Sequence, residues 1–331
     1  MQHVRFGRTG LHVSRMCLGT MTFGLQSDEA TSIAILDAAA SAGITFIDTA
    51  DVYPMGGTLG EVGRTEEIVG KWLLGKREKF VLATKCSGRM GPAAWQQGTS
   101  RKHVLASIDA SLKRLGTDYV DLYQVHHFDA NTPVDETVEA FDAVVKSGRA
   151  RYIGVSNYHA YRVARAIGRS EALSLSRFIS VQPRYNLLFR QIERELLPLC
   201  QEEGLAVMPY NPLAGGLLTG KHGRAAPPAK DSRFGLGNTG ARMYSERYWQ
   251  EREFATVEAF AKLANEAGAE PATLAMAWVL AHPAITTPLI GASKPAQLKA
   301  SIAAAEFKLE AKLKTRLDEL THDYRMGDAA R

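Results

Sequence analysis

The chain has 331 residues, 45% hydrophobic and 23% charged, with a formal charge of +5, proportions that suit a globular protein with a large core. No apolar run approaches the ~18 residues of a membrane helix, the N-terminus MQHVRFGRTG lacks the apolar centre of a signal peptide, and no basic block interleaved with aromatics marks a nucleic-acid surface. Three widely spaced cysteines, Cys17, Cys86 and Cys200, argue against a disulfide framework and for a reducing, cytoplasmic setting.

Residues 2–14 read as two short strands around Gly7-Arg8-Thr9-Gly10, a hairpin placed to plug the bottom of a larger fold. Short apolar runs then follow at Arg15–Leu18, Ile44–Ile47, Phe80–Ala83, Val120–Val125, Tyr152–Val155, Phe178–Val181, Ala206–Met208 and Pro288–Ile290. Amphipathic helical segments separate them. Ser100 caps one with Leu105, Ile108, Leu112 and Leu115 on a stripe ended by Gly116. Val134, Val138, Phe141 and Val145 repeat the spacing before Gly148, and Ile192, Leu196 and Leu199 repeat it before Gly204. Residues 214–250, rich in Gly, Ala and Pro, read as a long functional loop after the seventh strand. Helices between all strands require parallel pairing. Eight such cycles predict a single (β/α)₈ TIM barrel domain over residues 1–331, with a doubly wound open sheet as the alternative.

In a barrel, active sites gather at the C-terminal ends of the strands. The polar residues expected there are Asp48, Lys85, His126, Ser156, Asn157, Gln182 and Tyr210, with Tyr53 on the loop after Asp48. Each alone has an ordinary structural reading, as a cap, a solvated charge or a satisfied core group. Together, an Asp, a Lys, a Tyr and a His at one mouth are costly to bury without use. A tyrosine has a reference pKa of about 10 and is a weak acid near neutrality. A buried ammonium beside it is expected to lower that value, with the aspartate holding the ammonium in place. Such a tyrosine can protonate a developing alkoxide or take the proton back.

The motifs LGTMTFG (18–24), FIDTADVY (46–53), VLATK (81–85), DLYQVHHFD (121–129), IGVSNY (153–158), VQPRYNLL (181–188), PYNPLAGGLLTGK (209–221) and PLIGASKPAQL (288–298) span nearly the whole chain. In that order they resemble the aldo-keto reductases. The resemblance implies a nicotinamide-dependent barrel with Asp48, Tyr53, Lys85 and His126 as catalytic tetrad, Tyr53 being the general acid. His126 rather than His127 matches the family position, which places His127 off the catalytic face because strand neighbours alternate. The resemblance further assigns Ser156, Asn157 and Gln182 to the nicotinamide carboxamide, Tyr210 to its ring, and Gly19, Thr20 and Met21 to first-strand contacts. Asn211, Leu213, Gly215, Lys221 and Arg233 would line a loop over the pyrophosphate. At strand eight, Gly291, Ser293, Lys294 and Gln297 precede or open a helical turn at Pro295, a setting suited to phosphate. In the family this element grips the 2′-phosphate, so NADPH is expected over NADH.

The substrate is expected to be a small carbonyl or alcohol compound, met by an apolar mouth drawn from Phe23, Tyr53, Met55, Met90 and Trp95. The glycine-rich stretch 54–64, carrying Met55, Leu59 and Val62, would form its rim, with Thr65-Glu66 capping the next helix. Two Gly-x-x-x-x-Gly-Lys matches, at 70–76 and 215–221, lack the following Ser or Thr of a nucleotide-hydrolase loop. No metal-ligand spacing occurs. An alternative reading on the same barrel is an NADPH-binding regulatory or redox-sensing protein with little turnover, as in the potassium-channel β subunits of this family. The sequence leaves the oligomeric state open.

Overall fold

The computed structural model describes residues 1–224 and 226–326. An N-terminal hairpin pairs β1 (His3–Arg5) with β2 (His12–Ser14) antiparallel, as expected. Eight parallel strands follow: β3 (Cys17–Gly19), β4 (Phe46–Asp48), β5 (Val81–Cys86), β6 (Val120–Val125), β7 (Ala150–Ser156), β8 (Phe178–Gln182), β9 (Ala206–Val207) and β10 (Leu289–Ile290). Their order in the sheet is β10-β3-β4-β5-β6-β7-β8-β9. The two ends of that order meet: Thr286 N–H donates to the Val207 carbonyl at 2.9 Å and Leu289 N–H to the Pro209 carbonyl at 2.8 Å. Sequential order with helices between consecutive strands is the (β/α)₈ barrel, and the open doubly wound sheet is excluded.

The hairpin closes the bottom. Phe6 and Val13 are fully buried in one cluster with Cys17, Phe46, Ala83, Leu122 and Met208 from the strands. Phe6 meets Phe46 edge-on at 5.7 Å between ring centroids. Burying a phenylalanine of this kind contributes roughly 1.5–3 kcal/mol. Gly7 is required where it stands, because a Cβ there would meet the Gly204 carbonyl oxygen at 2.6 Å and its φ is +59°. A second, larger core fills the space between strands and helices, with Trp72, Tyr123, Phe141 and Phe178 among its members.

Local signals account for most helices. Ser100 caps Arg101–Leu115, accepting from His103 N–H at 3.4 Å, and Gly116 ends it in the left-handed region. Three expectations need correction. The stripe through Ile192 breaks into a 3₁₀ turn, Gln191–Glu193, and a short helix, Leu196–Glu202. Helix Arg64–Leu73 is not capped by Thr65: Gly63 occupies that position, Thr65 Oγ1 donates to the Phe23 carbonyl at 2.7 Å, and Glu66 takes Arg114 at 2.7 Å. The segment 214–250 is not all loop. It begins with 3₁₀ turns over Ala214–Thr219 and contains a helix, Thr239–Tyr248, capped by Asn238. Two further helices, Glu251–Glu266 and Pro271–Leu280, lead to β10. Among the described residues no helix is long and apolar enough to cross a membrane.

Candidate active site

At the C-terminal end of the barrel lies a cavity of about 1080 Å³. Strand register assembles its inner wall. Gly19 pairs with Asp48, Lys85 with Gln124, and Ser156 with Gln182, each at or near its strand's end. Asp48 and Lys85 are fully buried and form an ion pair through Oδ1. The ammonium also donates to the Thr49 carbonyl at 2.8 Å and to the Tyr53 hydroxyl at 3.3 Å. Asp48 Oδ2 accepts from Gln182 at 2.8 Å and from Gln124 at 3.0 Å. The carboxylate therefore has three donors, and its charge is compensated on both oxygens.

Tyr53 and His126 cover this pair, with their rings edge-on at 5.6 Å. The Tyr53 side of the expectation needs correction in sign. Burial raises the phenol, Lys85 lowers it, Asp48 raises it again, and the outcome is a pKa pushed up to about 12. Desolvation of the phenolate outweighs the ammonium because Asp48 already occupies that charge. Burial opposes the Lys85 charge, but Asp48 and then Tyr53 hold its pKa above the ordinary value, so it stays protonated. His126 is driven well below the ordinary imidazole range, by burial first and then by Lys85 and His127. It is a neutral ring whose Nδ1 has no hydrogen-bond partner.

His127 also departs from expectation. It lines the same cavity, stacked on His126 at 4.6 Å and 14° between planes. Alternation fails there because β6 ends at Val125 and both histidines lie beyond it.

The remaining expected residues divide plainly. Gly19, Thr20, Met21, Ser156, Asn157, Gln182, Tyr210 and Asn211 all line the cavity. So do Leu213, Gly215, Lys221, Arg233, Gly291, Ser293 and Gln297. Asn157 is held by its own bonds: its amide donates to the His126 carbonyl at 2.9 Å, and its Oδ1 accepts from the Tyr210 hydroxyl at 2.9 Å. Ser293 N–H donates to Gln297 Oε1 at 2.8 Å beside the short turn Pro295–Gln297. Lys85 lies behind Tyr53, off the cavity surface, and Lys294 is off it too, 3.8 Å from Asp231. Of the expected mouth residues, only Tyr53 and Met55 line the cavity. Phe23 is core, Trp95 is 60% exposed, and Met90 stays outside the lining. Leu59 of the expected rim points to solvent at 47% exposure. Sequence reasoning missed Gln124, Met243, Tyr244, Arg247 and Lys299. Gln124 was findable: it is a polar residue set inside the apolar run Val120–Val125, one position from the strand's end.

The pattern of the aldo/keto reductase family matches residues 15–322. The chain belongs to the aldo/keto reductase family. Among its relatives is the "Uncharacterized oxidoreductase YrpG" of Bacillus subtilis, 39% identical over 97% of this chain and 96% of YrpG. A "Probable voltage-gated potassium channel subunit beta" of Arabidopsis thaliana is 36% identical over 92% of each chain. The "L-glyceraldehyde 3-phosphate reductase" of Escherichia coli is 33% identical over 92% of this chain and 87% of that one. Membership makes the chain an oxidoreductase acting on carbonyl or alcohol groups of a small molecule, with a nicotinamide cofactor.

The residues present fit such a group. The cavity runs from the buried polar wall, past a glycine turn, to the 3₁₀ turn after β10. Gly215 leaves its part of the wall open, since a Cβ there would stand 2.8 Å from the Tyr244 ring and its φ is +72°. Lys221, Arg233 and Lys299 supply positive charge along that length. Among the described residues no group of three or more His, Cys, Asp or Glu is arranged to hold a metal.

Proposed function

We propose that the chain is an NADPH-dependent carbonyl reductase in which Tyr53 is the general acid. The observation that carries the reading is the meeting, on one wall, of a protonated Tyr53 and a charged Lys85–Asp48 pair with Ser156, Asn157 and Gln182. Reduced nicotinamide, when bound, supplies a hydride to the carbonyl carbon. Tyr53 stands with its hydroxyl on the Lys85 ammonium, so loss of its proton to the substrate oxygen leaves a phenolate beside a fixed cation. His126, neutral at working pH, can hold the same substrate oxygen by a hydrogen bond without competing for the proton. Ser156, Asn157 and Gln182 would orient the carboxamide, and Tyr210 would back the ring. Ser293, Gln297 and Lys299 would meet the adenosine end, which supports NADPH over NADH.

The test is Tyr53→Phe. NADPH binding, followed by quenching of protein fluorescence, should be retained while aldehyde turnover falls at least ~100-fold. Near-normal turnover would remove Tyr53 from the role. Parallel assays with NADH read the cofactor choice, and a preference for NADH would overturn the phosphate assignment. A wild-type protein that binds NADPH but reduces no carbonyl of a broad panel would favour a regulatory role instead.

A further inference from the structure

The reacting end of the cavity carries one cation that neither the buried wall nor the glycine turn explains. Arg247 is half-buried on helix Thr239–Tyr248, and with Met243 and Tyr244 it turns one helix face to the cavity. The helix is fixed to the loop that follows Tyr53. A Cβ on Gly56 would overlap the Asn238 side chain at 2.4 Å, and one on Gly240 would touch Met55 Cγ at 3.4 Å. Arg247 lies beside two groups of the reacting end, placing its charge near the Tyr210 hydroxyl and near His127. His127 stacks on His126, which meets Tyr53.

The charges facing this end are otherwise settled. Asp48 is paired with Lys85, and Asp231 sits 3.8 Å from Lys294 at the far end. Glu246, the acid next to Arg247, lies 3.8 Å from Arg242. Among the described residues Arg247 has no carboxylate partner. A half-buried guanidinium in a cavity wall with only a neutral hydroxyl against it is a prepared receptor for an oxyanion, which it can take bidentately.

We propose that Arg247, assisted by the exposed His127 ring, binds an anionic group on the substrate, so that the preferred carbonyl compounds carry a carboxylate or a phosphate remote from the reacting carbon. This rests on the carbonyl-reductase reading. The subsite discriminates by leaving Arg247 unpaired when a neutral substrate enters.

Matched pairs test it: 4-carboxybenzaldehyde against methyl 4-formylbenzoate, and glyceraldehyde 3-phosphate against glyceraldehyde, all with saturating NADPH. The charged member of at least one pair should show kcat/KM at least ~10-fold higher, mainly through KM. The pair with the larger ratio identifies the anion. In Arg247→Met the ratio should collapse towards one, and Arg247→Lys should restore part of it. Neutral aldehydes turned over as well as charged ones would overturn the subsite while leaving carbonyl reduction intact. An unchanged ratio in Arg247→Met with a raised KM for NADPH would also overturn it, giving Arg247 to the cofactor. If no aldehyde is reduced, the functional reading fails, and calorimetry decides the subsite separately. Binding of 4-(hydroxymethyl)benzoate to NADP⁺-loaded protein, lost in Arg247→Met, would uphold it, and no binding to the wild type would overturn it.

Discussion

Removing Lys85 should destabilise the fold far more than removing Lys85 and Asp48 together. Both are fully buried, so Lys85→Met strands a carboxylate away from water. Breaking a buried pair in this way costs about 3–5 kcal/mol. The lower end applies here, because Gln124 and Gln182 still donate to Oδ2 and only Oδ1 loses its partner. Asp48→Asn should cost a similar amount, softened by the Thr49 carbonyl and Tyr53 hydroxyl that still accept from the ammonium. The double variant exchanges an ion pair for two neutral side chains of near-equal volume and should fall within about 1.5 kcal/mol of the wild type. If the singles cost about 3 kcal/mol each, the coupling is at least about 4.5 kcal/mol. Urea unfolding followed by tryptophan fluorescence measures all four proteins. A double variant that loses as much as the two singles added would show that the pair is not a coupled buried unit. The folded double variant should also lack carbonyl turnover, which separates the pair's chemical contribution from its structural one.

Asp51 is buried with neither carboxyl oxygen hydrogen-bonded, and burial followed by Glu66 lifts its pKa well above the usual range. The folded state keeps a proton that the unfolded chain releases above about pH 4, so stability falls as pH rises, by about 1.4 kcal/mol per unit while the proton is held. Asp51→Asn should leave stability at pH 4 unchanged and raise it at pH 7, as read from urea midpoints. His126 has the opposite sign. Its folded pKa is depressed, so stability is lost as pH falls below the unfolded value of about 6.5. His126→Asn should flatten that acid slope in melting curves between pH 7.5 and 5. Gln124→Leu removes a donor 3.0 Å from Asp48 Oδ2 and should cost about 1.5–3 kcal/mol in urea unfolding. If Gln124 is a positioning residue, kcat should also fall about 10-fold while KM for NADPH moves less than about twofold. A stability loss with unaltered kcat would leave it a purely structural group.

What the sequence revealed follows from how local each signal is. Asp48, Lys85, His126 and the Ser156-Asn157 step end apolar runs, so strand period and barrel topology together bring them to one mouth. Loop residues carry no such period. Trp95 follows Lys85 by ten residues in sequence, yet its loop turns it to solvent. The helix Thr239–Tyr248 had a start signal in Asn238, whose side chain accepts from Ala241 N–H at 2.9 Å, but the surrounding glycines and prolines hid it. Arg247 was missed with it. His127 was misplaced because a two-residue alternation was carried past the strand's last residue, Val125. The Tyr53 shift was misjudged for a different reason: the sequence names the neighbouring charges but not the degree of burial, and burial is the larger effect.

That raised pKa does not oppose the proposed chemistry. A general acid in carbonyl reduction needs to be more acidic than the alcohol being formed, and an alkoxide is a stronger base than any tyrosinate. A phenol at about 12 therefore still transfers its proton downhill, and it arrives at the substrate fully protonated at every working pH. Lowering the pKa would widen that downhill margin but would not raise the fraction of acid present, which is already complete at working pH. The ammonium, itself fully buried, matters after the transfer, when it faces a new negative charge 3.3 Å away. Asp48, by keeping Lys85 charged above its ordinary range, holds that stabilisation ready. The Lys85 ammonium thus supports the product state by holding the Tyr53 pKa below where burial alone would push it, without returning it to the ordinary value.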